Sequence, residues 1–108
     1  MSSKQQISTF KNSADKIYEL QDYTSATILY FKTWFAIHDF ILLEKIGYAP
    51  KDHKERFELL KKNFPLEYIF IDEEFNTYRN TYSRIISKDT CDRIKKLVED
   101  AINKNNIN

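Results

Sequence analysis

The segment from Asp22 to Gly47 constrains the fold of this chain more than any other part of the sequence. Its middle, ILYFKTWFAIHDFILL (residues 28–43), is apolar almost all round when it is placed on a helix. Asp22 suits the N-cap of that helix, and Gly47 suits the left-handed position that follows the last turn. A long helix with this pattern lies in the centre of a bundle, or it also buries a face against another subunit.

The scarcity of glycine and proline favours further helices over strands. The 108 residues include one glycine and two prolines, whereas the tight turns of a sheet need many such residues. Apolar residues at three- and four-residue steps, together with capping residues, predict additional helices on both sides of the long one. The predicted helices cover about residues 3–20, 22–46, 52–64 and 66–86, followed by a fifth that is capped by Ser87 or Asp89.

These elements predict an all-α fold, an antiparallel bundle of four to five helices. We expect one domain over residues 1–108, with an ordered core at about 4–103 and a frayed tail at 104–108. In the fourth helix, the apolar periodicity assigns four large residues to the inner face: Phe75, Tyr78, Tyr82 and Ile85.

Charge and cysteine content set limits on the class of protein. The formal net charge of +1 gives no support for strong steering of nucleic acid by the whole molecule, although it leaves room for a local patch. Cys91 is the single cysteine, so no intramolecular disulfide is expected. The N-terminus lacks an apolar signal segment, and the apolar region at 26–43 is interrupted by charges and reads as too polar and too short for a membrane span. We therefore expect a cytoplasmic protein that does not span a membrane.

The order of these features resembles a HEPN domain (higher eukaryotes and prokaryotes nucleotide-binding), of the small prokaryotic type associated with nucleotidyltransferases. The resemblance covers about residues 10–102 and rests on pattern and spacing. It is carried by four stretches: YTSATILYFKTWFAIHDFILLEKIGYAP, KDHKERFELL, YRNTYSR and SKDTCDRIKKLVEDAI. The resemblance implies an all-α bundle that forms a homodimer. Many members of the family are toxins that cut RNA and pair with a small nucleotidyltransferase antitoxin, while others have lost catalysis and act as binding modules.

The arginine motif of the cutting members is present here only in its first half. In those members an Arg is followed, after four to six residues, by a His on the same helix. Arg79 and Asn80 match the start of this pattern, but the positions where the His would stand hold Arg84, Ile85 and Ile86. Histidine can exchange a proton near neutral pH, whereas arginine stays protonated and can only bind or stabilise phosphate charge. No other arginine of the chain has a histidine at these offsets.

Five residues remain as candidates for a site. Arg79, Asn80 and Arg84 are candidates for binding a nucleotide or RNA, and Arg79 is alternatively a flanking residue that reaches water or a carboxylate. A working nuclease would need His38 or His53 to replace the missing histidine.

The two histidines also have simpler interpretations. His38 and Asp39 lie inside the most apolar helix, so we expect one of them to meet a polar group of another helix, as a hydrogen bond of the core or an interface. His53 follows the cap Asp52 and is expected to be exposed. The histidines and the cysteine have no metal-ligand spacing, and no cofactor is expected.

Two functional hypotheses follow from the resemblance, and a third assumes that the chain shares only the pattern of the family. In the first, the protein is a catalytically degenerate HEPN-like module that dimerises and binds a nucleotide or a protein partner, such as the minimal nucleotidyltransferase of a toxin–antitoxin-type pair. In the second, it is a divergent metal-independent RNase toxin that uses Arg79 with a histidine from elsewhere. In the third, it is an unrelated helical bundle. The missing histidine favours the first hypothesis.

Overall fold

The apolar segment forms the central helix of an all-α bundle. The computed structural model describes residues 3–107, in which there are five helices and no strands. They are α1 (Lys4–Glu19), α2 (Tyr23–Ile46), α3 (His53–Asn63), α4 (Pro65–Asn80) and α5 (Lys88–Lys104). Helix α2 packs against each of the other four, and six consecutive residues in it, 33–38, are buried. Since a helical turn takes 3.6 residues, this run shows burial on every side, and the predicted all-α bundle is confirmed.

The connections between helices place α1 and α5 on one part of α2, and α3 with α4 on another. Helix α1 turns back along α2 after a short connection, as an antiparallel neighbour should, and α5 also packs on α2. Helices α3 and α4 are separated by Phe64 alone and pack against each other as well as against α2. The site described below lies where α1, α2, α3 and α4 meet.

The helix ends follow the capping residues of the sequence. The side chain of Asp22 accepts a hydrogen bond from the Ser25 N–H (3.1 Å), and that of Asp52 accepts one from the Glu55 N–H (2.9 Å). The carboxylate of Glu55 accepts in return from the backbone N–H of Lys51. In a standard capping box the donor is the N–H of the cap residue itself, which here is Asp52, so the bond is shifted by one residue. Gly47 follows α2 with φ of +86°, which is the left-handed conformation predicted for it.

The prediction for the end of the fourth helix is wrong. Helix α4 ends at Asn80 rather than Ile86, and a turn follows. Phe75 and Tyr78 do lie on the inner side, but the side chains of Tyr82 and Ile85 are exposed, at 74% and 94%. The Ile86 N–H donates instead to the Thr24 hydroxyl on α2 (2.8 Å), and the Ile86 side chain is buried. Because these contacts hold Ile86 against α2, the chain cannot continue as a helix from α4.

The C-terminal end packs more closely than the sequence suggested. Helix α5 continues to Lys104, and Ile107 is 5% exposed and belongs to the hydrophobic core. Burial of an apolar side chain holds residues 104–107 against the bundle where a frayed tail was expected. Asn108 lies outside the described residues.

Helix α2 is long enough for a membrane span, contrary to the length argument from the sequence. With 24 residues, it is by length and composition the one helix within residues 3–107 that could cross a membrane. Of its most apolar window, 67% is buried inside the protein. The core helix of a soluble protein meets the same criteria, so this property is weak evidence for a membrane location.

Replacement of Gly47 by alanine should lower the free energy of unfolding by about 1 kcal/mol, because an L-residue is disfavoured in the left-handed conformation. A Cβ at this position would meet no atom within 4 Å, so the loss measures backbone strain without a clash. Gly47→Asn is the matched control and should lose less, since asparagine tolerates this conformation. Urea unfolding of both variants tests this, and equal stability of Gly47→Ala and the parent would contradict it.

Candidate functional site

A cavity of about 240 Å³ opens at the junction of α1, α2, α3 and α4. We call it the Arg56 cavity. It combines aromatic walls with five ionisable side chains, which are Lys32, Asp39, His53, Arg56 and Tyr78. Its lining consists of Gln6, Phe10, Lys32, Phe35, Ala36, Asp39, His53, Arg56 and Tyr78. A larger groove of about 430 Å³ runs between α1 and α5, but its Lys11 is already paired with Asp15 and Glu99.

Arg56 joins α3 to α2 through a two-pronged ion pair. Its Nε donates to Asp39 Oδ1 (2.9 Å) and its Nη2 donates to Asp39 Oδ2 (3.1 Å). Arg56 is only 8% exposed, and the planar guanidinium matches a carboxylate in this geometry. The expectation that His38 or Asp39 meets a polar group of another helix is therefore confirmed for Asp39.

His53 is held in its neutral form by the same arginine. Arg56 Nη1 lies 2.6 Å from His53 Nδ1, and because a guanidinium can only donate, Nδ1 must accept. Burial and then the positive charge of Arg56 lower the pKa of His53. The ring also packs against Phe35, with centroids 4.6 Å apart, and against Tyr78 at 5.8 Å. The prediction that His53 is exposed is therefore wrong, because the first turn of α3 lies against the aromatic wall of the cavity.

His38 is sealed in the core, out of reach of a molecule bound at the surface. Its side chain is fully buried, and within residues 3–107 neither ring nitrogen has a hydrogen-bond partner. Burial, followed by the charge of Arg56, lowers the pKa of His38 to about 3. Of His38 and Asp39, only Asp39 therefore has the expected polar partner within residues 3–107. The indole Nε1 of Trp34, one helical turn away, is likewise buried without a partner there.

The three candidates from the arginine motif lie away from this cavity. Arg79 is exposed, and its Nη2 donates to Asn76 Oδ1 (3.2 Å). Arg84 is exposed in the turn after α4, and its backbone N–H donates to the carbonyl of Asn80. None of Arg79, Asn80 and Arg84 lines the cavity. The structure thus does not bring Arg79 together with His38 or His53 in one site.

The remaining polar groups of the cavity are suited to binding. The hydroxyls of Tyr78 and Tyr82 lie 2.7 Å apart, and burial, followed by this hydrogen bond, raises the pKa of Tyr78 to about 12. Tyr78 therefore stays protonated at neutral pH. The Oε1 atom of Gln6 is buried and has no partner within residues 3–107. Lys32 is exposed at the rim and adds a positive charge.

Sequence reasoning missed Arg56 as the centre of the site, although two signals pointed to it. His53 and Arg56 are three residues apart on one helix, which places them on the same face. Asp39 is a charge within an otherwise apolar helix and requires a cationic partner. Neither signal specifies which of the many Lys and Arg residues supplies that partner.

The described residues offer no metal site. Within residues 3–107 there is no group of three or more His, Cys, Asp or Glu side chains placed to hold a metal ion.

Comparison of the chain with protein families, curated proteins and solved structures finds no match.

The neutral, buried His38 should make the protein less stable in mild acid. Its folded pKa of about 3 lies below the ordinary value of 6.5, so from pH 6.5 downward the unfolded chain takes up a proton that the folded chain does not. Stability is fully present above pH 6.5 and falls toward pH 3, by up to about 1.4 kcal/mol per pH unit. Urea unfolding between pH 5 and 7 measures this slope.

His38→Leu is the matched variant for the pH measurement. It removes the titrating ring with little change in volume and loses no hydrogen bond, so stability at pH 7 should stay the same or rise. Its pH slope should be smaller than that of the parent, with the remainder due to His53, whose pKa is also lowered. Parallel pH profiles for the variant and the parent would contradict this assignment.

Proposed function

We propose that this chain is a HEPN-like helical module without RNA-cleaving chemistry, which forms a homodimer in the cytoplasm and binds a nucleotide or a protein partner. The partner suggested by the resemblance is a minimal nucleotidyltransferase of a toxin–antitoxin-type pair. One observation carries the proposal: Arg79 is exposed on α4 and bound to Asn76, while His38 is sealed in the core. A cleavage site needs a phosphate-binding group and a proton-transfer group within reach of the same substrate, and these residues do not share one.

The Arg56 cavity supports a binding role. Its lining includes Phe10, which is partly exposed and offers an apolar ring against which a base can stack. The side-chain amide of Gln6 also lines the cavity and can hydrogen-bond a base, and Lys32 at the rim can meet a phosphate. A volume of about 240 Å³ suits the base and leaves the phosphates at the mouth.

Nucleotide binding can be tested with Lys32, because this residue is exposed and its replacement leaves the core intact. We expect AMP or ATP to bind in isothermal titration, and Lys32→Ala to weaken binding several-fold through the loss of a phosphate contact. Lys45→Ala is the matched control, since Lys45 is exposed on the same helix but does not line the cavity. Equal weakening by both variants, or no binding to the parent, would count against this site.

The absence of cleavage chemistry is tested with RNA. Structured and unstructured RNA incubated with the protein in the absence of metal should stay intact, and Arg79→Ala should change nothing. Cleavage that is lost in Arg79→Ala would overturn the proposal. It would favour instead the divergent RNase that uses Arg79 with a histidine from elsewhere.

A second candidate function is RNA cleavage by His53 with Arg56. One observation favours it: Arg56 Nη1 contacts His53 Nδ1 at 2.6 Å, which leaves a neutral imidazole beside a guanidinium at the mouth of a cavity. The only lone pair of the neutral His53 ring lies on Nδ1 and accepts from Arg56, so this alternative requires Arg56 to turn from His53 toward the phosphate when RNA binds. Nδ1 is then free to act as a general base, and the arginine stabilises phosphate charge. Under this alternative, cleavage is abolished in His53→Asn and persists in Arg79→Ala. The same RNA assay therefore separates all three cases.

A further inference from the structure

Helix α4 presents an apolar ridge to the outside of the bundle. Leu66, Ile69 and Phe70 are 51%, 47% and 37% exposed, and their spacing of three and four residues places them on one side of the helix. The opposite side of α4 is buried through Ile71 and Tyr78. We call the three exposed residues the α4 ridge. Grouped apolar side chains of this kind mark an interaction surface more often than scattered ones do.

The two ends of the α4 ridge carry opposite charges. Lys62 is exposed in the last turn of α3, three residues before Pro65 opens α4. Glu73 is exposed seven residues after Leu66, which is two turns further along the same side of α4. Within residues 3–107 neither Lys62 nor Glu73 forms an ion pair, whereas Glu74, the neighbour of Glu73, is paired with Arg93. The surface thus has the order positive, apolar, negative from the end of α3 along α4.

We propose that the α4 ridge packs against the same ridge of a second copy of this chain, with the two helices antiparallel across a two-fold axis. This inference rests on the homodimer of the proposed function and names its surface. An axis near residue 68 brings Leu66 of one copy next to Phe70 of the other. It also places Glu73 of each copy opposite the segment that carries Lys62 in the other. A surface with opposite charges at its two ends is self-complementary in this orientation, whereas a parallel pairing would bring like charges together.

A small groove beside α4 gives the ridge side chains somewhere to lie. It has a volume of about 70 Å³, lies between α4 and α5, and is bordered by Phe70 and Leu97. Helices associate by packing the ridges of one into the grooves of the other. Three partly exposed apolar residues are few for an interface of about 800 Å² per partner, so the dimer should be weak and depend on concentration.

Sedimentation velocity over a range of protein concentrations tests the surface. We expect a monomer–dimer equilibrium in the parent. Phe70→Glu should raise the dimer dissociation constant by about tenfold or more, because it puts a charge in the centre of the interface. Ile85→Glu is the matched control, since it introduces the same charge at an apolar residue that is 94% exposed and lies outside the ridge. The control should leave the dissociation constant unchanged.

A charge exchange tests the antiparallel orientation and does not depend on core packing. Glu73→Lys should raise the dissociation constant roughly fivefold, because two symmetric pairs are replaced by repulsion. The double variant Lys62→Glu with Glu73→Lys should return toward the parent value, since the pairs are restored with reversed sign. No recovery in the double variant would overturn the antiparallel arrangement. Far-UV circular dichroism identifies any variant that fails to fold, and the two exposed charge positions remain informative if Phe70→Glu is such a variant.

The possible failures are distinguishable. A parent that stays monomeric at all concentrations overturns both this surface and the homodimer of the proposed function. A dimer that is unaffected by Phe70→Glu and by Glu73→Lys overturns the α4 ridge as its interface but leaves the homodimer standing. Nucleotide binding and RNA cleavage are measured separately, so neither result depends on this one.

Discussion

Burial of α2 on every side is the constraint on which the rest of the structure depends. A 24-residue helix is about 36 Å long, close to the 38 Å longest dimension of the molecule, so α2 runs through the whole bundle. A helix that is apolar all round can be removed from water only if other elements surround it. The four remaining helices do this, and each of them contacts α2. Each of these helices therefore needs an apolar face toward α2 and a polar face toward water.

The polar residues of α2 show how this helix tolerates burial. The hydroxyls of Thr27 and Thr33 donate to the carbonyl oxygens of Tyr23 and Leu29, four residues earlier, so they need no partner from outside the helix. Asp39 cannot be satisfied in this way, because a carboxylate only accepts and carries a full charge. It is paired instead with Arg56 on α3. That pair orients the first turn of α3 and brings His53 to the mouth of the cavity, so the candidate site is a consequence of one charge in an apolar helix.

Charge and burial together separate the residues that a nuclease would need to combine. Burial, followed by the positive charge of Arg56, lowers the pKa of both histidines. His53 is therefore neutral, and the pKa of the fully buried His38 falls to about 3. Arg79 lies on the exposed side of α4, in water and next to Asn76. The same fold presents Leu66, Ile69 and Phe70 outward. The surface therefore carries a cavity on one part of the bundle and an apolar ridge on another, and we propose that both serve recognition.

The sequence by itself determined the features that depend on neighbours within a few residues. Asp22 and Asp52 begin helices because a carboxylate accepts from an N–H three residues on, and Gly47 follows α2 because it alone among the common residues adopts positive φ without strain. The all-α class follows from the same local signals and from apolar periodicity.

Tertiary structure decided the features that depend on residues far apart in the chain. The helix at 66–86 was predicted too long because its periodicity continues, whereas the bond from the Ile86 N–H to Thr24, 62 residues away, ends it. The partner of Asp39 lies 17 residues on, at Arg56, and only the packing of α3 on α2 selects it from the other cations. Sequence spacing describes what one helix presents, but the direction in which a second helix approaches is set by how side chains fill the space between them.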